Sequence, residues 1–289
     1  MAVARSGRRA QAGRVLDAAL DLAFGATCAC CRRPGRILCR DCRPLLPSSG
    51  FPVRPDPAPP GLAPAFAAGW YDAPLRPLLL AHKERRAFAL ARPLGEVLGA
   101  VVGGAVPADL PDALLVLVPV PSRAATVRER GHDPVRRMVL AAARALRRDG
   151  VPVVVPALLR QCADVRDQAG LDAAARAANL DGSLRVRPRA QRALARSGRP
   201  VRVLVCDDVI TTGATAREAQ RALEAVGLPV TAVTSLAATR RRNRNGIGMT
   251  ATDLYRWRLT SVHGVRPGPW LRQEYLLASR CQSQAKRPT

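Results

Sequence analysis

Lysine is almost missing from this chain. Lys83 and Lys286 are its only lysines, so nearly all of its 46 basic residues are arginines. Acidic residues are few as well, 22 in all, and the formal net charge reaches +24. Aromatic side chains make up only 3% of the sequence, Trp70, Trp257 and Trp270 among them. That leaves little for stacking against the bases of a single-stranded nucleic acid. Long apolar runs are also missing. The stretch "ALLVLVPVP" falls far short of the roughly 20 residues that cross a bilayer as a helix, so no membrane insertion is expected. No G-x4-G-K-[ST] sequence occurs, which excludes a P-loop nucleotide site. Neither H-E-x-x-H nor a Ser-His-Asp pattern is present, and there is no internal repeat.

What remains is enough for a folded protein. With 48% apolar residues over 289 positions, the chain can bury a core and supports one large domain or one domain with appendages. A GC-rich coding sequence is a sufficient source of abundant Ala, Arg and Pro. The charge still has a physical consequence, because nucleic acids and phosphorylated metabolites are attracted to it. Near the N-terminus, Val15, Leu16, Ala19, Leu20, Ala23 and Phe24 follow helical spacing, while Asp17 and Asp21 interrupt what would otherwise look like a signal peptide. Residues 1–25 therefore read as a short amphipathic helix of a cytoplasmic protein.

Five of the eight cysteines lie in "CACCRRPGRILCRDC". Cys28 and Cys31 form one C-x2-C pair, and Cys39 and Cys42 form a second. Two such knuckles supply the four tetrahedral thiolates that zinc prefers. The intervening "RRPGRIL" can turn at Pro34 and Gly35. Four protein thiolates leave no open coordination position, so the expected ion is structural. A pair of disulfides is the alternative, one that a reducing compartment disfavours. Cys30 could also stand in for Cys31 with C-x-C spacing. Residues 26–46 thus read as a zinc ribbon.

Residues 47–64, "PSSGFPVRPDPAPPGLAP", hold too many prolines for a helix or a central strand and read as a linker or a wrapped surface segment. From 65 to 240 the pattern changes. "APLRPLLLAHK", "ALARPLGEVLGAVVGG", "PVRRMVLAAARALRRDG" and a short "LDAAARAANL" look helical, as does the stretch from about Thr215 to Val226. "LLVLVPVP", "VPVVVPALLR", "VRVLVCDD" and "PVTAVTSLAA" look like strands. Apolar strands that alternate with helices predict an α/β domain with a parallel sheet covered on both faces. From Arg240 onward the alternation stops. Eleven basic and two acidic residues there read as a disordered basic arm, residues 241–289, or as an extension with no selected role.

The stretch "VLVCDDVITTGAT", residues 203–215, carries the chemistry. In open α/β sheets ligands bind beyond the carboxyl ends of the strands, and Asp207 and Asp208 are expected at such an end, too exposed for core. The small residues that follow lead into a helix N-terminus, whose backbone N–H groups and dipole suit a phosphate. Gly213 lets the backbone come close, Ala214 continues the small-residue run, and Thr211, Thr212 and Thr215 add hydroxyl donors. Two carboxylates beside a phosphate cradle need partners of their own. The vicinal hydroxyls of a ribose fit them, each oxygen accepting from an O–H. The combination predicts a site for a sugar 5-phosphate.

That pattern of hydrophobic residues, two acids and T-T-G-x-T resembles the phosphoribosyl pyrophosphate (PRPP) signature of type I phosphoribosyltransferases. Three other segments resemble the ComF family. They are "VPVPSRAATVRERGHDP", "QAGLDAAARAANLDGSL" through Gln168, Leu171, Arg176 and Asn179, and "YDAPLRPLLLAHK", which ends at Lys83. An amphipathic leader before two C-x2-C pairs is also the ComF arrangement, and the likeness covers about residues 14 to 240. It implies a type I phosphoribosyltransferase fold with a small N-terminal zinc ribbon. It also implies PRPP as a ligand, with Asp207 and Asp208 on the ribose. "PVPSRAA" would be the pyrophosphate-binding loop, with Ser122, Arg123, Arg128 and Arg130 around the diphosphate, where a guanidinium fork matches two oxygens. Lys83, Gln168 and Arg176 come to the site by the same resemblance, and magnesium is expected with the PRPP diphosphate. Similar proteins are linked to DNA uptake in natural transformation, so single-stranded DNA and other DNA-uptake proteins are candidate partners. The family's Phe-Asn-Gln after R-G is here His132-Asp133-Pro134, so this loop is expected to touch a different group, or to touch it through the imidazole. No segment resembles the hood that selects a base, which leaves the acceptor and catalysis itself open. The alternative is a single-stranded DNA-binding competence factor whose PRPP site is regulatory or vestigial.

Overall fold

Val201–Ile210 forms the strand around which the other elements are arranged. Its aliphatic run, Val203, Leu204, Val205 and Cys206, is at most 1% exposed, as expected for a strand hydrogen-bonded on both edges and covered on both faces. The structure, a computed structural model, describes residues 26–106, 113–122, 124–162 and 182–240. All of these belong to one compact unit that ends at Arg240. The amphipathic helix expected over 1–25, the helix expected in "LDAAARAANL" and the arm 241–289 lie outside the described residues.

In chain order the elements are β1 (Phe51–Val53), β2 (Ala65–Trp70), α1 (Leu75–Glu84), α2 (Ala91–Ala105), β3 (Leu114–Pro119), α3 (Ala124–Arg130), α4 (Pro134–Arg148), β4 (Val153–Val154), β5 (Leu159–Gln161), β6 (Leu184–Val186), α5 (Pro188–Ala195), β7 (Val201–Ile210), α6 (Ala214–Glu224) and β8 (Val230–Ala238). Six strands form one sheet in the order β1-β2-β8-β7-β3-β4, and β5 and β6 form a separate antiparallel pair. Every pairing in the large sheet is parallel except β1 with β2. This mostly parallel sheet flanked by helices is the α/β architecture expected from the alternating pattern.

Side chains alternate across the strands and build two cores. Leu115, Leu117, Leu204, Cys206 and Leu236 pack on one face with α1, α2 and α4. Val116, Val118, Val203, Val205 and Val233 pack on the other with α6. Helices α2 and α4 approach closely at Gly95, where an added Cβ would lie 2.4 Å from Ala141 Cβ and 2.8 Å from the Met138 carbonyl oxygen. Helix α4 starts where Asp133 Oδ1 accepts the Arg136 N–H at 3.0 Å and Pro134 opens the first turn, a favourable pairing of N-cap and proline.

Several local expectations change. The proline-rich stretch contributes β1, whose Pro52 is tolerated because the strand lies at the sheet edge. "VPVVVPALLR" splits into β4 and β5, broken at Pro156. Helices α3 and α5 were not legible as separate elements. One apolar stretch, Phe88–Ala105, is long and apolar enough by composition to cross a membrane, contrary to the expectation that none was. Here it is a core helix, with Leu90, Leu94, Leu98, Val101 and Val102 at most 1% exposed.

Candidate functional site

Because β2, β8, β7 and β3 run parallel, their carboxyl ends share one edge of the sheet. Asp207 and Asp208 lie on β7 near that edge, with Asp207 opposite Ser235 of β8. The strand continues past them to Ile210, so the acids sit within the ladder and not beyond it. Asp208 is only 4% exposed, which corrects the expectation that both were too exposed for core. Its charge is compensated from α1: the Lys83 ammonium forms an ion pair with Asp208 Oδ2, an oxygen that makes no hydrogen bond of good geometry. Asp207 is half-buried, and its Oδ1 accepts the Asp208 N–H at 2.8 Å.

Two carboxylates and one ammonium in a poorly hydrated place perturb one another. Burial, then the negative charge of Asp208, pushes the Asp207 carboxyl up to about 8, with the Asp208 N–H and Lys83 pulling the other way. Burial lowers the Lys83 ammonium, but the adjacent charge of Asp208, with Asp207 behind it, leaves it above its ordinary value. Without a ligand, Lys83 is therefore charged, and the Asp207 carboxyl is held well above the usual carboxylate range.

The loop after β7 leads directly into α6. Gly213 is its N-cap, at φ +73° and ψ 1°, a left-handed conformation that glycine adopts readily. Gly213 has no side chain to cap the helix, so apart from the Ala214 N–H the first-turn N–H groups have no side-chain acceptor from the N-cap. Thr212 Oγ1 reaches the Ala214 N–H at 3.4 Å. Thr211 is exposed, and Thr215 and Ala214 are half-buried.

Other residues expected at the site are placed less uniformly. Ser122 Oγ donates to Asp133 Oδ1 at 3.4 Å, at the start of α4. Arg130 Nη2 donates to Glu84 Oε1 at 2.7 Å, next to Lys83 on α1. Arg128 is exposed on α3. Arg123, Gln168 and Arg176 lie outside the described residues. His132 does not face outward as a contact residue. It is 5% exposed, with Nδ1 3.2 Å from the Arg130 carbonyl and Nε2 3.1 Å from the His82 carbonyl. The Phe88 ring lies edge-on to it, centroids 4.8 Å apart. The imidazole therefore pins the loop to α1. His82 is fully buried between the Ala87 and Pro134 carbonyls, and burial lowers its pKa.

Near the N-terminus, the Sγ atoms of Cys28, Cys31, Cys39 and Cys42 all lie within 4.8 Å of one another. Cys31 and Cys39 Sγ are 3.6 Å apart, close to the edge of about 3.8 Å that a tetrahedron of ~2.3 Å zinc–sulfur bonds requires. All four cysteines are free thiols. Burial raises the Cys28 thiol, but N–H groups of Cys31, Cys39 and Cys30 more than offset it and bring it down to about 6. A hydrogen bond with Cys39 holds the Cys42 thiol up in turn, so it is the closeness of the four sulfurs that suits a metal ion. The set is able to hold one structural metal ion, with zinc the ion that four thiolates select. Cys30 is not in this set. Its Sγ points at the Pro74 carbonyl, 3.8 Å away at the start of α1. With Ala29, Ile37 and Leu38 it packs on the main core, which fastens the cysteine module to the α/β body.

Some neighbours of the site gave no sequence signal. Trp70, at the carboxyl end of β2, has its ring 5.3 Å from that of Phe51 and the Arg240 guanidinium 5.1 Å from its centroid. Gln220 is 4% exposed on α6, and Arg217 lies one turn before it. No family model matches the chain, and no curated protein matches it at a significant level.

Proposed function

We propose that this protein binds PRPP and is a ComF-type protein with a type I phosphoribosyltransferase fold. The observation that carries the reading is one juxtaposition: a carboxylate pair on the central strand beside the glycine-led N-terminus of α6. In this reading Asp207 and Asp208 accept hydrogen bonds from the ribose 2- and 3-hydroxyls. The N–H groups of Gly213 and Ala214, with the hydroxyls of Thr211, Thr212 and Thr215, hold the 5-phosphate. Ser122, Arg123, Arg128 and Arg130 face the diphosphate, and Gln168 and Arg176 complete the mouth. Lys83 balances the acids until the ligand arrives. Magnesium would neutralise part of the departing diphosphate. The chain's own residues do the rest by positioning and by stabilising leaving-group charge. The acceptor is unassigned, and the cysteine module is structural.

Calorimetric titration with PRPP and magnesium tests this. Asp207→Asn and Asp208→Asn should each weaken binding by roughly tenfold to a hundredfold, the loss of a charge-assisted hydrogen bond. Unchanged affinity in both variants refutes the assignment. The net charge of +24 favours a second reading, in which the protein handles single-stranded DNA during uptake and PRPP regulates it. Titration with an oligonucleotide in place of PRPP separates the two.

A further inference from the structure

Residues 55–63 cross from β1 to β2 as a proline-rich strap with a bend at Asp56 and Pro57 and a turn at Pro60 and Gly61, and it contacts the helix that the phosphate loop opens. Ala63 N–H donates to Gln220 Oε1 at 2.9 Å, and Gln220 Nε2 donates back to the Gly61 carbonyl at 2.9 Å. Arg217 Nε donates to the Pro60 carbonyl at 3.0 Å. Gln220 is a buried polar side chain, and these two strap bonds, with a third from Nε2 to Glu224 Oε1 at 2.8 Å, satisfy it. At the loop itself the strap turns apolar. A Cβ added to Gly213 would meet Leu62 Cδ2 at 3.0 Å and Pro55 Cγ at 3.1 Å. Leu62 and Ala63 pack on the core under α6, and Pro55 is buried.

One flank of the loop 211–213 is thus closed by carbon held in place from α6. A cradle closed on one flank accepts a phosphate that ends the molecule, because only one ester oxygen has to leave it. A phosphodiester needs a second exit, and on this flank a second substituent would meet Leu62 or Pro55. We infer that the strap makes this loop selective for terminal phosphate monoesters over phosphodiesters, with Gln220 the positioning residue that holds the wall. The inference rests on the phosphate-binding reading of the loop and sharpens it: a sugar 5-phosphate is admitted, and the internal phosphates of a nucleic acid are not.

The test is titration of the full-length protein with ribose 5-phosphate and with its methyl phosphodiester. The wild type should bind the diester about tenfold or more weakly than the monoester, the scale expected when a tight apolar wall must yield. Leu62→Ala trims the wall without touching the tether, and Gln220→Ala releases the tether. Both should narrow the ratio to within about threefold, chiefly through a gain for the diester. A general loss of stability would lower both affinities and leave their ratio alone, and Leu62→Ala still decides the matter should Gln220→Ala fail to fold. Equal binding of the two ligands by the wild type, or an unchanged ratio in Leu62→Ala, overturns the wall. Binding of neither ligand overturns the phosphate site itself.

Discussion

Replacing either aspartate on β7 by asparagine should weaken ligand binding, but the two replacements should move stability in opposite directions. Asp207 keeps its proton from the usual carboxylate value of 3.8 up to about 8, because burial and Asp208 disfavour the charge. Between those values the unfolded chain has lost the proton and the folded chain holds it, so stability falls as pH rises through that window. The slope has a ceiling of about 1.4 kcal/mol per pH unit, or roughly 3 °C in Tm per unit for a domain of this size. Asp207→Asn removes the titrating group and relieves Asp208 of a like charge. Its melting curve should therefore be flatter between pH 5 and 8 than that of the wild type, and higher at pH 8. Asp208→Asn does the reverse. It leaves the Lys83 ammonium, on a side chain only 29% exposed, without its partner, and breaking a buried pair from one side costs about 3 kcal/mol. Differential scanning calorimetry of the three proteins at pH 5, 6, 7 and 8, with zinc held constant, reads both effects. Parallel pH curves for wild type and Asp207→Asn, or a higher Tm for Asp208→Asn at pH 7, would refute the electrostatic account of this site.

Purified under reducing conditions, the protein should hold about one zinc per chain by elemental analysis. Cys28→Ser should lower that content, whereas Cys30→Ser should leave it unchanged, since the Cys30 Sγ points at the Pro74 carbonyl and is not among the four mutually close thiols. Gly95→Ala should lower Tm, because overpacking against Ala141 and Met138 costs about 1–3 kcal/mol. Gly99→Ala, where the new Cβ meets nothing nearer than 3.5 Å, should raise it through a helix-propensity gain of up to ~1 kcal/mol. Single-stranded DNA binding should weaken with salt at a slope of about 0.7 per phosphate neutralised. Deleting residues 241–289 should make that slope shallower without abolishing binding. Complete loss of binding would place all DNA affinity in the arm, and an unchanged slope would show that the arm does not touch DNA.

How much of this was legible in the sequence depended on how local each cause is. Strand β7 is a run of aliphatic residues that needs no context, and α4 begins at Asp133-Pro134, a cap readable from two residues. The cysteine spacing carries its own geometry. The burial of Asp208 could not be read the same way, because it depends on Lys83, which only the crossing of α1 over the sheet brings within reach. The proline-rich stretch looked like a linker because its anchors, Arg217 and Gln220, belong to a helix far along the chain. Helix α5 is rich in Arg and Ala and buries only Leu194, so it shows almost no apolar stripe. The choice between Cys30 and Cys31 was settled by which face of the knuckle meets the core, a property of the docked module and not of the spacing.

The scarcity of aromatic residues has an optical consequence. Trp70 is the one tryptophan among the described residues, and the other two, Trp257 and Trp270, fall in the stretch beyond Arg240. A protein ending at Arg240 would therefore emit from a single indole, set between Phe51 and the Arg240 guanidinium at the carboxyl end of β2. The same sheet edge carries the acid pair two strands away. The ion pair between Arg240 and Asp72 that helps hold the guanidinium over the ring is long, 3.7 Å, and exposed at both ends, so little free energy separates the covered ring from a freed one. Emission from this indole should shift in wavelength and intensity as ligands occupy the edge, with no label attached and no second indole to subtract.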